Sequence, residues 1–273
     1  MADKKNDVLR AVLHVKRKEY ITPHYIRVVL TGDHIEQFAD TTVGVNNKIL
    51  VPPKGVDKIH FPEFDEVKNE WIQPPEHLRP VIRTYTHRGI DVENREMIVD
   101  FVYHGDHSPA SGWAGRAKEG DQLGVLMKAG KRTLYPEADW YLLAGDATAI
   151  PVLGAILESL PSTARVTAVL EVHGEEDEQQ LYTEAQLDIC WLHNPSPEEG
   201  SKLADAVKQV QLPEEGTRFG YVAAEFSSVK EIRQYLRKEL GWTAGELYAY
   251  SYWKAGMAED QSAADRRKEK QRA

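Results

Sequence analysis

"WYLLAGDATAIPVLGAILESL", Trp140 to Leu160, changes character in its middle. Trp140–Asp146 is an apolar run of strand length that ends on Gly145-Asp146. From Thr148 to Leu160 the large apolar residues fall three and four apart, as one buried helix face requires. A buried strand that feeds directly into a helix is the unit of a parallel sheet wound with helices. The same alternation continues downstream. "ARVTAVLEV" (164–172), "LDICWLHN" (187–194), "RFGYVAAE" (218–225) and "GELYAYSYW" (245–253) read as strands. "GSKLADAVKQVQ" (200–211) and "SSVKEIRQYLRKEL" (227–240) read as helices between them.

Upstream the rhythm is different. Short alternating or apolar runs at 9–21, 25–32, 47–53, 81–88, 96–105 and 121–130 are separated by Pro, Gly, Asp and Asn turns. Repeated short strands without long helices predict an antiparallel barrel or sandwich. The expected plan is a β + α/β chain. An antiparallel β-barrel domain occupies 1–135 and a parallel-sheet nucleotide-binding α/β domain occupies 136–256, with the border between Leu134 and Asp139. Residues 52–80 are polar and proline-bearing and read as a long surface loop. The charged tail 257–273 reads as a solvated, helix-prone terminus.

The chain has 273 residues, 41% apolar and 28% charged, with a formal net charge of −9. No apolar run reaches the roughly 18–20 residues that span a bilayer, and the N-terminus lacks a signal-peptide apolar region, so a cytoplasmic monomer without membrane contact is expected. The acidic balance argues against nucleic-acid binding. A single cysteine, Cys190, excludes an intrachain disulfide and a cysteine-ligated cluster within this chain. Its apolar neighbours predict a buried structural thiol. An acidic protein that binds an anion must gather its cations locally, so each cation's position carries information.

"RPVIRTYTHR" (79–88) is one such gathering. Strand alternation puts Arg83 and Tyr85 on one face and Thr84 and Thr86 on the other. A guanidinium fork beside an aromatic ring suits a ligand with a phosphate and a flat ring. An exposed β-face that pairs arginine with acids fits the same residues. Arg79 and Arg88 have no assignment and read as solvated. In "DFVYHGDHSPASGWA" (100–114) a strand ends at His104-Gly105, and "PASGWA" opens a short helix with Ser111 as the N-cap candidate. Helix-start N–H groups form an anion site.

The two-part plan is that of the ferredoxin reductase-like flavoproteins. In detail the chain resembles the siderophore-interacting proteins, flavin reductases that reduce ferric siderophores. The residues that carry the resemblance are "RTYTHR" (83–88), "DFVYHGDHSPASGWA" (100–114), "LLAGDATAIPVLGAILESLP" (142–161), "YVAAEFSSVKEIRQYLRKELG" (221–241) and "SYWKAG" (251–256), nearly the whole chain in order. The resemblance implies an FAD cofactor. It places Arg83 on the pyrophosphate, Tyr85 against the isoalloxazine and Thr86 near its reactive edge, with Thr84 in the same motif. Asp100, Val102, His104, Ala110, Ser111 and Trp113 would wrap the ribityl–pyrophosphate portion, and Thr148 would reach the flavin. His104 also fits a strand-end histidine bonded to a turn.

Asp146 and Glu225 sit at strand-to-helix junctions, where α/β sheets place ligands, and Glu171 ends the strand 164–172. Asp146 has only one neighbouring glycine, and a carboxylate there repels a pyrophosphate, so it caps the helix or the nicotinamide cofactor lies slightly away. Glu171 would accept from a ribose 2′-OH and repel a 2′-phosphate, which leans toward NADH over NADPH. Glu225 matches an acidic position of the family, with capping by Ser227 or Ser228 as its structural alternative. By the same resemblance a ferredoxin is a further candidate electron donor. Ferric siderophores are often anionic, and the resemblance implies basic groups above the flavin. Lys48, Arg132 and Lys254 are the candidates, with Lys131 beside Arg132. Trp253 would cover the flavin or pack between domains. Outer-sphere electron transfer needs no general acid or base, so no catalytic residue and no protein-bound metal is expected. The implied function is reduction of a ferric siderophore's Fe(III) to Fe(II), releasing iron in the cytoplasm. A general NAD(P)H–flavin or ferredoxin-type reductase and a non-enzymatic siderophore-binding protein are the alternatives.

Overall fold

The computed structural model describes residues 8–259, 261, 262 and 265, and the chain divides into two compact units, Met1–Arg132 and Thr133–Ala273. The first unit contains β1 (Val8–Thr22), β2 (Tyr25–Thr31), β3 (Asn46–Val51), β4 (Glu63–Asp65), β5 (Glu70–Ile72), β6 (Val81–Thr86), β7 (Gly89–Asp91), β8 (Glu96–Val102), helix α1 (Pro109–Arg116) and β9 (Gln122–Lys128). Seven of these form one antiparallel sheet in the order β6-β3-β9-β1-β2-β8-β7. Alternation sends every second residue inward. Leu13, Ile26, Val28, Leu30, Ile49, Val99, Phe101 and Val125 are all fully buried.

β6 and β7 are the two ends of that order, yet only His87 and Arg88 separate them in sequence. His87 still bonds the β3 side, donating its N–H to Val45 O at 2.8 Å and accepting from Gly44 N at 2.7 Å. Arg88 N already donates to Ile98 O on β8 at 3.1 Å. One extended stretch thus bonds both ends of the sheet and closes it into the expected barrel. Residues 52–80 are not a featureless loop. β4 and β5 form a hairpin in which Phe64 and Trp71 meet edge-on at 5.3 Å between ring centroids.

The second unit holds β10 (Trp140–Asp146), α2 (Ile150–Ser159), β11 (Arg165–Val172), β12 (Gln186–His193), α3 (Leu203–Lys208), β13 (Arg218–Glu225), α4 (Phe226–Gln234) and β14 (Leu247–Trp253). The sheet is parallel throughout, in the order β12-β11-β10-β13-β14. β10 is central and buried along its whole length. Tyr141 and Leu143 pack with α2 through Val152, Leu153 and Ile156. The alternate residues Trp140, Leu142 and Ala144 pack with α3 and α4 through Leu203, Val229 and Ile232. Helices therefore cover both faces, which explains why β10 reads as a continuous apolar run. No helix of the described residues is long and apolar enough to cross a membrane.

Cys190 corrects an expectation: it is exposed. β12 is an edge strand and leaves every second side chain uncovered, so apolar neighbours did not bury the thiol. In the tail, Glu259, Gln261, Ser262 and Asp265 are helical, and the rest of 257–273 beyond Met257 and Ala258 lies outside the described residues.

Gly145 is where α2 meets the sheet. A Cβ there would stand 2.5 Å from Ala149 Cβ and 2.7 Å from Ala223 O, both parts of the rigid frame. Gly145→Ala is expected to destabilise the chain by about 1–3 kcal/mol through overpacking. Denaturant unfolding monitored by tryptophan fluorescence checks this, and an unchanged midpoint contradicts the tight junction.

Candidate functional site

β6 places the proposed flavin-binding motif. Its partner register sets Lys48 opposite Thr84, Asn47 opposite Tyr85 and Ile49 opposite Arg83. Arg83 is half-buried, and its guanidinium donates to Ile82 O at 2.8 Å. Tyr85 continues into an aromatic row. Its ring lies 4.6 Å from Phe101, which lies 5.7 Å from Trp113 on α1. Thr86 is buried, and Lys48 Nζ donates to Thr84 Oγ1. A cation is thus fixed to the residue between Arg83 and Tyr85.

α1 begins one turn earlier than expected. Ser108 is the N-cap and Pro109 holds the first helical position, where its fixed φ and missing N–H suit a helix start. Ser111 is therefore inside the helix rather than its cap. Its hydroxyl accepts from His104 N at 3.0 Å and donates to Gly105 O at 2.8 Å, which ties α1 to the end of β8. Ser108 makes no side-chain cap bond, so the first-turn N–H groups at Ala110 and Ser111 have no side-chain acceptor from the cap. His104 also contacts Ser108 Oγ through its ring at 3.4 Å, as a strand-end histidine bonded to a turn does.

Asp100 lies among donors of the chain itself. Its buried carboxylate receives Arg27 Nε and Nη2, both at 2.8 Å, and Tyr25 Oη at 3.1 Å. Arg88 Nε stands 3.7 Å away. Arg88 is therefore not the solvated charge expected of it. Only a cross-strand register puts Arg27 opposite Asp100, and no spacing in the sequence displays it. Val102, at the end of β8, pairs with Tyr25.

The second unit gathers Asp146, Glu171 and Glu225 at the carboxyl ends of β10, β11 and β13. All are buried and bonded to donors of the chain. Asp146 Oδ1 accepts from Thr148 N at 2.9 Å and from its hydroxyl, so it caps the turn into α2. Asp146 Oδ2 accepts from Glu225 N at 2.9 Å and Trp253 Nε1 at 2.8 Å, joining three strand ends. Burial pushes its carboxyl upward, against the pull of these bonds. Glu171 accepts from Asn194 Nδ2 at 3.0 Å and Ser201 Oγ at 2.7 Å. Glu225 itself caps α4 by accepting from Ser227 N, so neither Ser227 nor Ser228 is the cap.

Lys254 pairs with Asp265 of the tail at 2.8 Å and lies 4.8 Å from the centre of the Phe226 ring. Arg132 and Lys131 are exposed. The Arg132 guanidinium has no ion pair or hydrogen bond among the described residues.

Residues 14–131 match the family model of the siderophore-interacting FAD-binding domain, and residues 138–256 match that of the siderophore-interacting protein. The chain belongs to the siderophore-interacting protein family. It is 34% identical over 261 residues to the ferric vibriobactin reductase ViuB of Vibrio cholerae serotype O1, covering 95% of each chain. The siderophore-interacting protein SipS of Aeromonas hydrophila superposes with a TM-score of 0.79 at 30% identity, over 95% of this chain and 97% of that one. A ferredoxin NADP+ reductase from Neisseria gonorrhoeae, 13% identical, superposes with a TM-score of 0.57 over 89% and 98% of the two chains and shares the fold.

The first domain of this siderophore-interacting protein also holds two polar side chains that strand patterns did not flag. The Asn47 amide and both ring nitrogens of His87 are enclosed without a hydrogen-bond partner among the described residues. Burial pulls His87 from 6.5 down to about 4. The unfolded chain therefore takes up this proton first as pH falls. His87 should cost the fold roughly 3 kcal/mol between about pH 6.5 and pH 4, and nothing above that window. Unfolding curves for the protein and for His87→Leu across this range test it. Equal acid slopes contradict the buried neutral ring.

Proposed function

We propose that this protein is an FAD-dependent reductase of ferric siderophores that turns Fe(III) into Fe(II) and so releases iron in the cytoplasm. The observation that carries the reading is Arg83 and Tyr85 on one face of β6, with Tyr85 continued by Phe101 and Trp113 into an aromatic row fit for a dinucleotide flavin. Lys48, bonded to Thr84, offers a cation on the opposite face of the same strand pair. The residues suit that cofactor. Arg83 offers a fork to the pyrophosphate, the first-turn amides of α1 offer further donors, and Tyr85 offers a ring face backed by Phe101. Bound FAD would supply the conversion between a two-electron hydride donor and one-electron Fe(III) acceptors.

The chain's own contribution is to position and to complement charge. Lys48 and Arg132 of the first domain are the proposed substrate cations. Fe(II) holds hard oxygen ligands more weakly than Fe(III), so reduction loosens the complex without a protein acid or base. NADH is the proposed donor. Glu171, which also accepts from Asn194 and Ser201, is the acidic group proposed for the ribose hydroxyl. A ferredoxin is the second reading of the donor. Rapid-mixing reduction with NADH, NADPH and a ferredoxin separates them.

Arg83→Ala should purify with less flavin per chain, read from absorbance near the protein and flavin bands; full occupancy would show that the motif is misread. Lys48→Ala and Arg132→Ala should each raise KM for an anionic ferric siderophore by up to about fivefold, the scale of a partly exposed charge pair. Added salt should raise KM in the unmodified protein, because screening acts over roughly 10 Å at 0.1 M. A KM indifferent to both changes removes the electrostatic site.

A further inference from the structure

Arg132 stands within a stretch, 129–139, that has no helix or strand of its own. β9 ends at Lys128, and the chain continues through Ala129, Gly130 at φ 84°, and Lys131. Between Lys128 and Pro136 the main-chain groups that the described residues anchor are those of Arg132. Its N–H donates to Thr42 Oγ1 at 2.8 Å, and its carbonyl accepts from the same hydroxyl at 3.0 Å. A threonine hydroxyl has one hydrogen to give and two lone pairs to accept with, so one side chain serves both groups.

Thr42 is itself braced. Thr41 N and Oγ1 donate to Phe38 O at 3.0 and 2.6 Å, and Val45 N donates to Thr42 O at 3.3 Å. The same turn holds His87, the residue after the flavin motif, through Gly44 N and Val45 O. It then runs into β3, where Lys48 follows. Thr42 therefore links the backbone under one proposed substrate cation to the strand that carries the other.

We propose that Thr42 is a positioning residue for the substrate: it fixes the Arg132 backbone so that its guanidinium is set in advance for the anionic ferric complex. This rests on the reading of Arg132 as a substrate cation. A long side chain on a loose segment must lose backbone and rotamer freedom when it engages a ligand, and an anchored backbone removes part of that cost before binding.

The test is equilibrium binding of a gallium(III) tris-catecholate, which has the charge and shape of the ferric complex but accepts no electron. Flavin-loaded protein is titrated by calorimetry, and KM and kcat for the ferric complex are measured in parallel. Thr42→Val, which keeps the shape and removes the hydroxyl, should weaken gallium-complex binding about threefold to tenfold and raise KM with kcat within twofold. Thr42→Ser should restore both. In an Arg132→Ala background Thr42→Val should add no further loss. The positioning role is overturned if Arg132→Ala weakens binding and Thr42→Val does not. It is equally overturned if Thr42→Val costs as much without Arg132 as with it, or if Ser fails to rescue. Unchanged binding in Arg132→Ala, or no binding by the unmodified protein, overturns the substrate-cation reading and this inference together.

Discussion

The peptide between His87 and Arg88 is where one hydrogen-bond ladder ends and another begins. On its amino side the chain is bonded to Val45 and Gly44, and on its carboxyl side to Ile98. A single extended segment therefore joins the two ends of a seven-stranded sheet. Everything that the first domain presents follows from this closure. Arg83 and Tyr85 come before the junction, and Arg88 comes directly after it beside Asp100. The aromatic row Tyr85, Phe101 and Trp113 links β6, β8 and α1.

The distribution of acid explains how a chain of formal charge −9 keeps basic groups in useful places. Several carboxylates are buried and spent on internal donors. Asp100 holds Arg27 and Tyr25, Asp146 joins three strand ends, Glu171 fastens the connection between β12 and α3, and Glu225 caps α4 at the end of β13. A buried carboxylate is tolerable only when its lone pairs are met, and here each has at least two partners. Cations such as Lys48 and Arg132 instead sit at exposed positions.

Much of the fold is legible in the sequence because it depends on local periodicity. β10 and β13 match their apolar runs residue for residue, and the change from alternation to strand-then-helix marks the second domain. What is not legible depends on register and neighbours. Cys190 looks buried until β12 proves to be an edge. Arg88 looks solvated until the barrel closure brings Asp100 beside it. Ser111 looks like a cap, but Pro109 starts the helix sooner. At the candidate site, the Arg-Thr-Tyr-Thr run is visible as a motif, whereas Thr42 carries no composition or spacing that distinguishes it. Its place is set by two bonds to a residue 90 positions away.

The closing segment has a consequence for the protein's lifetime in the cell. The strand that seals the barrel is also the one proposed to grip FAD, so cofactor affinity and barrel integrity draw on the same bonds. A ligand bound only by the folded state adds RT ln(1 + [L]/Kd) to stability. Under flavin starvation such a chain loses that increment, and the unfolded fraction that proteases remove rises. Its abundance would then follow flavin supply through turnover, without any change in its synthesis.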